Sequence, residues 1–353
     1  MSDIKKLWRE FCNQLEISGE HVLESSLATN KLDKAEGIRY LTRLLRIGLE
    51  MHLENNNPEF PSFYQASHST AKIGADNPDN FYQNATISSS YQYKISGRKG
   101  TVPILSFGTK ANRYAVDGTM ASTGELDIRD VDCDSDGSFE IIASKDKVDG
   151  NWLPLEDDST ILIVRQTFFD RTKEEIAKVE INTIDQFNKP EPISLKGVSE
   201  SLSNVSKFIK GTSSLFLDWS LLFKEQHKNS LSTTGQSMFS RAGGDPMIYY
   251  LHGWWELNDN QALKISCNVP DCIGWNFQIN NIWMESLDYR NHNIHTNNFL
   301  AEKNTDDSVT IIVSKKPQKG NWLDTAAHKQ GTMLWRWTGA ENYPLPKVEI
   351  INV

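Results

Sequence analysis

A short stretch, Gly150-Asn151-Trp152-Leu153, recurs as Gly320-Asn321-Trp322-Leu323, 170 positions on (321 − 151). Each copy follows a β-prone run introduced by an acidic turn, Ser138 to Lys145 in one case and Ser308 to Lys315 in the other. The same offset joins Lys94-Ile95-Ser96 to Lys264-Ile265-Ser266, and Lys178-Val179-Glu180-Ile181 recurs as Lys347-Val348-Glu349-Ile350. Gly74 with Asp76 parallels Gly243 with Asp245, and Arg165 matches Arg336 to within one position. A register held this far implies an internal duplication, so the two halves must share one fold.

What that fold is follows from the segments around the anchors. Within 1–54, Ile4, Trp8, Phe11 and Leu15 recur at helical spacing, as do Leu41, Leu45, Leu49 and Leu53, predicting two helices. Ser18-Gly19 marks an end to the first, with a resumption at Val22, Leu23 and Leu27; Asp33 and Glu36 read as a capping box opening the second. Residues 55–73 are irregular and carry Phe60, Phe63 and Tyr64; a loop of this length usually covers something. The first repeat, 74–182, consists of short β-prone runs punctuated by glycine, the pattern of an antiparallel sandwich. Residues 183–242 form a linker with Pro190 and Pro192, a helix from Leu195 to Ile209 stopped by Gly211, a further helix through Leu215, Trp219 and Leu222, and a polar, mobile stretch from Lys224 to Gln236. The second repeat is 243–353. The predicted class is α+β, mainly β: two tandem related β-sandwich, jelly-roll-like domains with N-terminal and inter-domain helices.

Composition narrows the function. At 353 residues, 38% hydrophobic, the chain has material for two packed cores. A net charge of −9 argues against nucleic-acid binding, which needs a basic surface. No run of 18 apolar residues is present to span a membrane, and charges occupy the N-terminal stretch where a signal peptide is apolar, so a cytoplasmic location is expected. The four cysteines are scattered, which predicts reduced thiols and no zinc site.

Gly150 to Pro154, Gly320 to Asp324 and the closing Lys-Val-Glu-Ile strands resemble the uncharacterised family called domain of unknown function 1214. So do Gly74-Ala75-Asp76-Asn77-Pro78, Val164 to Phe168 and Trp283 to Asp288. The resemblance implies sandwich domains with accessory helices and brings no settled activity.

In a duplicated chain, residues kept in both copies are most simply architectural, and those peculiar to one copy are better functional candidates. Trp152 and Trp322 therefore read as caps, each indole N–H bonded to backbone. Of ten tryptophans, seven lie in the second repeat; they either line an aromatic pocket or fill a larger core. Trp275, Gln278, Trp283, Trp322 and Arg336 are the ligand-binding candidates. Glu285 and Asp288 form a candidate carboxylate pair for acid–base work. Asp324 and His328, placed on a helical turn, would share a face and make a proton-transfer dyad absent from the first copy. The arginines Arg39, Arg43 and Arg46 read as a possible anion clamp or, with Glu50 interleaved, as a solvated or anchoring face. Asp132 to Gly137 imitates a calcium loop but has Ala143 where the bidentate glutamate belongs. No cofactor or metal is implied.

The expectation is a cytoplasmic protein binding a small organic or saccharide-like molecule, extended to hydrolase-type chemistry at a site in the second repeat. The alternative is a non-catalytic scaffold or homo-oligomer whose aromatic excess is an interface.

Overall fold

The computed structural model describes residues 3–185, 187 and 189–353. The two N-terminal ladders form α1 (Asp3–Leu23) and α2 (Lys31–Leu49). Helix α1 runs straight through Ser18-Gly19. Gly19 is there for packing, since a Cβ would stand 2.9 Å from Leu41 Cδ1 on α2. Helix α2 is capped by Asn30, whose Oδ1 accepts from Asp33 N at 3.0 Å; Asp33 and Glu36, expected in that role, are buried and face the second half of the chain. The last turn widens into a π-helical segment, Glu50–Glu54, with Asn55 N donating to Glu50 O.

Eight strands follow: β1 (Asn80–Thr86), β2 (Tyr93–Arg98), β3 (Ile104–Arg113), β4 (Thr119–Asp127), β5 (Ser138–Ser144), β6 (Trp152–Pro154), β7 (Ile161–Thr167) and β8 (Lys178–Thr183). They make two four-stranded sheets, β1-β7-β3-β4 and β6-β5-β2-β8. Helix α3 (Leu195–Gln226) is continuous where a break at Gly211 is expected. A Cβ at Gly211 would lie 1.9 Å from the carbonyl oxygen of Tyr114, so this glycine permits a close backbone approach and does not end the helix. The segment read as mobile linker is built into the fold as β9 (Ser230–Ser232) beside the second half's first strand, with Asn229 N donating to Trp254 O, followed by α4 (Gln236–Arg241).

The remaining strands are β10 (Ile248–Glu256), β11 (Gln261–Cys267), β12 (Gly274–Ile279), β13 (His295–Asn297), β14 (Val309–Ser314), β15 (Asn321–Asp324), β16 (Gln330–Thr338) and β17 (Lys347–Asn352). Their sheets, β10-β16-β12-β13 and β15-β14-β11-β17, have the order of the first pair strand for strand. In each half the short strand carrying the Trp motif joins its neighbour in parallel, β5 with β6 and β14 with β15, while the other pairings are antiparallel. The molecule is thus α+β, mainly β, with two related sandwiches.

Each sandwich has its own core, centred on Phe107, Ile141 and Val164 in the first and on Ile265, Phe277 and Trp335 in the second. A third core lies between them, where α1, α2 and α3 pack with Ile161 and Ile163 of β7 and Leu334 of β16. Strand β7 is therefore buried on both faces, and this explains the unbroken run Ile161-Leu162-Ile163-Val164 in place of alternation.

Candidate functional site

The third core is incompletely filled. A cavity of about 150 Å³ lies at the meeting of the two sandwiches with α2, α3 and α4. Its apolar wall includes Ile163, Phe216 and Trp219, and its polar wall includes Asn80, Asn84, Tyr82 and Tyr250. Arg165 and Arg336 belong to the same wall.

These residues come in matched sets. Arg165 on β7 sits opposite Tyr82 on β1, and Arg336 on β16 sits opposite Tyr250 on β10. Tyr82 Oη accepts from Asn77 N and Tyr250 Oη from Asp245 N, both at 3.0 Å. Asn77 and Asp245 each then accept, at 3.0 Å, from the amide two residues on. The hydrogen bonds therefore pair Asn77 with Asp245 and Ala75 with Gly243, one position away from the Asp76 and Gly74 correspondences drawn from residue identity. Asp76 instead accepts from the amide and hydroxyl of Ser286.

The two arginines differ in one respect. Arg336 Nη1 donates to Gln278 Oε1 at 2.5 Å, whereas Arg165 Nη1 has no hydrogen-bond partner among the described residues and reaches only to 3.8 Å from Asp245 Oδ2. Strand register accounts for it. Asn276 stands opposite Arg336 and Ser106 opposite Arg165, so two positions along from them Gln278 of β12 corresponds to Gly108 of β3, which has no side chain to offer.

The sequence-derived candidates are dispersed. The Asp324–His328 dyad is not formed, because Asp324 ends strand β15 and His328 lies beyond a turn, not one helical turn away. Asp324 accepts from His292 Nδ1 at 2.7 Å near the surface. His328 is buried, with Nδ1 on Thr325 O and Nε2 3.2 Å from Glu36 Oε2, close enough for ionic attraction although out of line for a hydrogen bond. Glu285 and Asp288 do not converge either. Glu285 is fully buried against Arg43 Nη1 at 2.7 Å, and Asp288 is held by Arg290 and Asn291 in a loop, which keeps its carboxyl well below the usual range.

What does form is a buried polar chain joining α2 to the second sandwich. Asn281 Nδ2 donates to Glu36 Oε2 at 2.6 Å and to Glu285 Oε2 at 2.8 Å, so His328, Glu36, Asn281, Glu285 and Arg43 are linked in sequence. Burial raises the pKa of Glu285, with Arg43 opposing it in part. Neither Glu285 nor His328 lines the central cavity.

The aromatic candidates are mostly core. Trp275 stacks on Trp335 with ring centroids 4.8 Å apart and is 3% exposed. Burying an indole removes roughly 200 Å² from water, on the order of 5 kcal/mol. A stacking contact with a ligand is worth about 1 kcal/mol beyond burial, so this stack will not open to serve as a platform. Trp283 is wedged against Gly37 and Tyr40, its Nε1 donating to Asp33 O. Trp322 Nε1 donates to Ser314 O at 3.1 Å and Trp152 Nε1 to Ser144 O at 3.2 Å, the same cap in each half. Of the five ligand-binding candidates only Arg336 lines the cavity. Tyr82, Tyr250, Asn84 and Phe216 were not singled out by sequence; the signal available was the shared register of Arg165 and Arg336.

Fold and cavity define a class, double-sandwich proteins with helices over an inter-sandwich core. Residues 79–167 match the family described as "Protein of unknown function (DUF1214)". A crystal structure of an uncharacterised protein from Burkholderia cenocepacia is 44% identical, superposes with a TM-score of 0.95, and covers 98% of this chain and 96% of its own. The chain belongs to the DUF1214 family. The VPA0106 protein from Vibrio parahaemolyticus shares the fold at a TM-score of 0.51 and 11% identity, covering 97% of this chain and 99% of its own. No curated protein matches the sequence. No helix among the described residues is long and apolar enough to cross a membrane.

Proposed function

We propose that this is a small-molecule-binding protein whose ligand occupies the cavity between the two sandwiches. The observation that carries the reading is the cavity itself: about 150 Å³, walled by both sandwiches and by α2, α3 and α4, with apolar side chains such as Ile163 and Phe216 and polar ones including Tyr82, Asn84, Arg165 and Arg336. Concave, mainly apolar sites with a few convergent polar groups at domain junctions are where small molecules bind. An apolar cavity of about this volume accepts a benzene-sized molecule. The ligand class is accordingly a compact organic molecule with a single ring or short branched chain and one hydrogen-bonding group.

Catalysis is not part of the reading, because the acid–base groups expected of a hydrolase lie outside the cavity. A thermal-shift screen of monocyclic alcohols, phenols and amides on the wild type and on Ile163→Phe tests the proposal. A ligand at a hundred times its Kd stabilises the folded state by about 2.7 kcal/mol, so at least one compound should raise the wild-type melting temperature and lose its effect when the larger side chain fills the cavity. Absence of any response in the wild type, or an equal response in Ile163→Phe, would refute it.

A further inference from the structure

Of the three arginines on α2, two are paired with carboxylates, the exposed Arg39 with Glu36 and the buried Arg43 with Glu285. Arg46 is exposed and pairs with no carboxylate among the described residues; it reaches Thr70 Oγ1 at 3.3 Å. Glu50, four positions on, likewise has no ion-pair partner among the described residues, and its carboxylate meets Asn55 Nδ2 at 3.5 Å. Opposite charges at this spacing on an α-helix normally pair. Here α2 gives way to the π-helical turn at Glu50 and the charges stay apart. Such turns recur at functional sites.

Between them lies a groove of about 530 Å³, walled by α2 on one side and the 63–71 segment on the other. Tyr64 forms part of the wall; its hydroxyl is buried without a hydrogen-bond partner, near enough to Glu50 to feel its charge. His68 completes the wall, and burial together with neighbouring Arg46 lowers its pKa, which disfavours a second cation there. The groove thus presents one cation and one anion. A simple anion would be repelled by Glu50 and a simple cation by Arg46. The two aromatic residues of the lining, Phe63 and Tyr64, are anchored in the neighbouring cores.

We propose that this groove is a second binding site, for a small zwitterion of the amino-acid class, with its carboxylate on Arg46 and its ammonium group on Glu50. The groove adjoins the central cavity at Ile47, which lines both, but the site does not depend on a ligand there.

Calorimetric titration of the full chain with glycine, β-alanine, γ-aminobutyrate and L-lysine tests it, against acetate, ethylamine and glucose. At least one amino acid should bind, with acetate and ethylamine weaker by about tenfold or more, since each satisfies one charge only. Arg46→Gln and Glu50→Gln should each weaken the amino acid by about tenfold or more while leaving the melting temperature within a degree or so. The proposal is overturned if no amino acid binds, if acetate or glucose binds as tightly, or if both variants bind unchanged. The ligand series decides the matter even where a variant proves unstable.

Discussion

Arg165 and Arg336 clasp each other's sandwich. Arg165 Nη2 donates to the carbonyl of Gly243, at the threshold of the second sandwich, and Arg336 Nη2 donates to that of Ala75, at the threshold of the first, both at 2.6 Å. Ala75 and Gly243 both have positive φ, 56° and 90°, which turns the chain at each threshold. The two halves are therefore tied by a reciprocal exchange, and the cavity lies within it.

The clasp is chemically unequal, and stability should report this. Truncating Arg336 to alanine strands Gln278 and the Ala75 carbonyl in a buried setting, while truncating Arg165 removes a guanidinium that already lacks one partner. A hydrogen bond to a charged group contributes about 1.5–3 kcal/mol, and Arg336 makes such bonds to Asn276, Gln278 and Ala75 where Arg165 makes one, to Gly243. Urea unfolding should show Arg336→Ala to be the more damaging change; an equal or reversed order would contradict the asymmetry.

Glycine 211 offers a second test. In an open helix, Gly→Ala gains about 1 kcal/mol of helix propensity. At Gly211 the new methyl meets the Tyr114 carbonyl at 1.9 Å, and overpacking of that kind costs about 1–3 kcal/mol. Gly211→Ala should lower the melting temperature, whereas Gly197→Ala, whose nearest neighbour is Ser194 Oγ at 3.2 Å, should be close to neutral.

The pair formed by Glu36 and His328 predicts a pH window. Burial disfavours charge on both, but attraction prevails: Glu36 is held at about 2 by His328, Asn281 and Arg39, and the pKa of His328 is raised by Glu36. The lowered carboxylate contributes stability above its unfolded value of 4.5, lost as pH falls towards 2. The raised imidazole contributes stability below 6.5, lost as pH rises through its folded value. The pair is most stabilising between pH 4.5 and 6.5. An NMR titration should place the His328 midpoint above 6.5 in the wild type, and Glu36→Gln should lower it. A midpoint unmoved by that substitution would show that the contact carries no charge coupling.

Much of this architecture could be read from residue spacing. The repeated Gly-Asn-Trp-Leu and Lys-Val-Glu-Ile segments identified two related halves because they fall in corresponding strands of each, β6 and β15, β8 and β17. Gly19 and Gly211 misled because a glycine that admits a neighbouring backbone or side chain looks, in one dimension, like a glycine that stops a helix. His328 misled for a related reason. Its partner Glu36 is nearly three hundred residues away, and spacing within the chain pointed to Asp324 instead. The cavity could not be foreseen, since its wall is assembled from both sandwiches and three helices, and nothing local marks Tyr82 or Phe216 as neighbours.

Arg43 and Glu285 supply the strongest test of how α2 is anchored. Glu285 is fully buried, accepts from Arg43 at 2.7 Å, and has its pKa raised by burial despite that partner. Removing the guanidinium alone, as Arg43→Met, leaves an unneutralised carboxylate and should cost on the order of 3–5 kcal/mol, whereas removing both charges often restores most of the loss. The double variant Arg43→Met with Glu285→Gln should therefore be more stable than Arg43→Met. A raised Glu285 also means that Arg43→Met recovers stability in acid, where the stranded carboxylate takes up a proton. Denaturant unfolding of wild type, both single variants and the double variant at pH 5 and pH 8 measures the coupling. Simple additivity at both pH values would show that the two side chains stabilise the α2 interface independently.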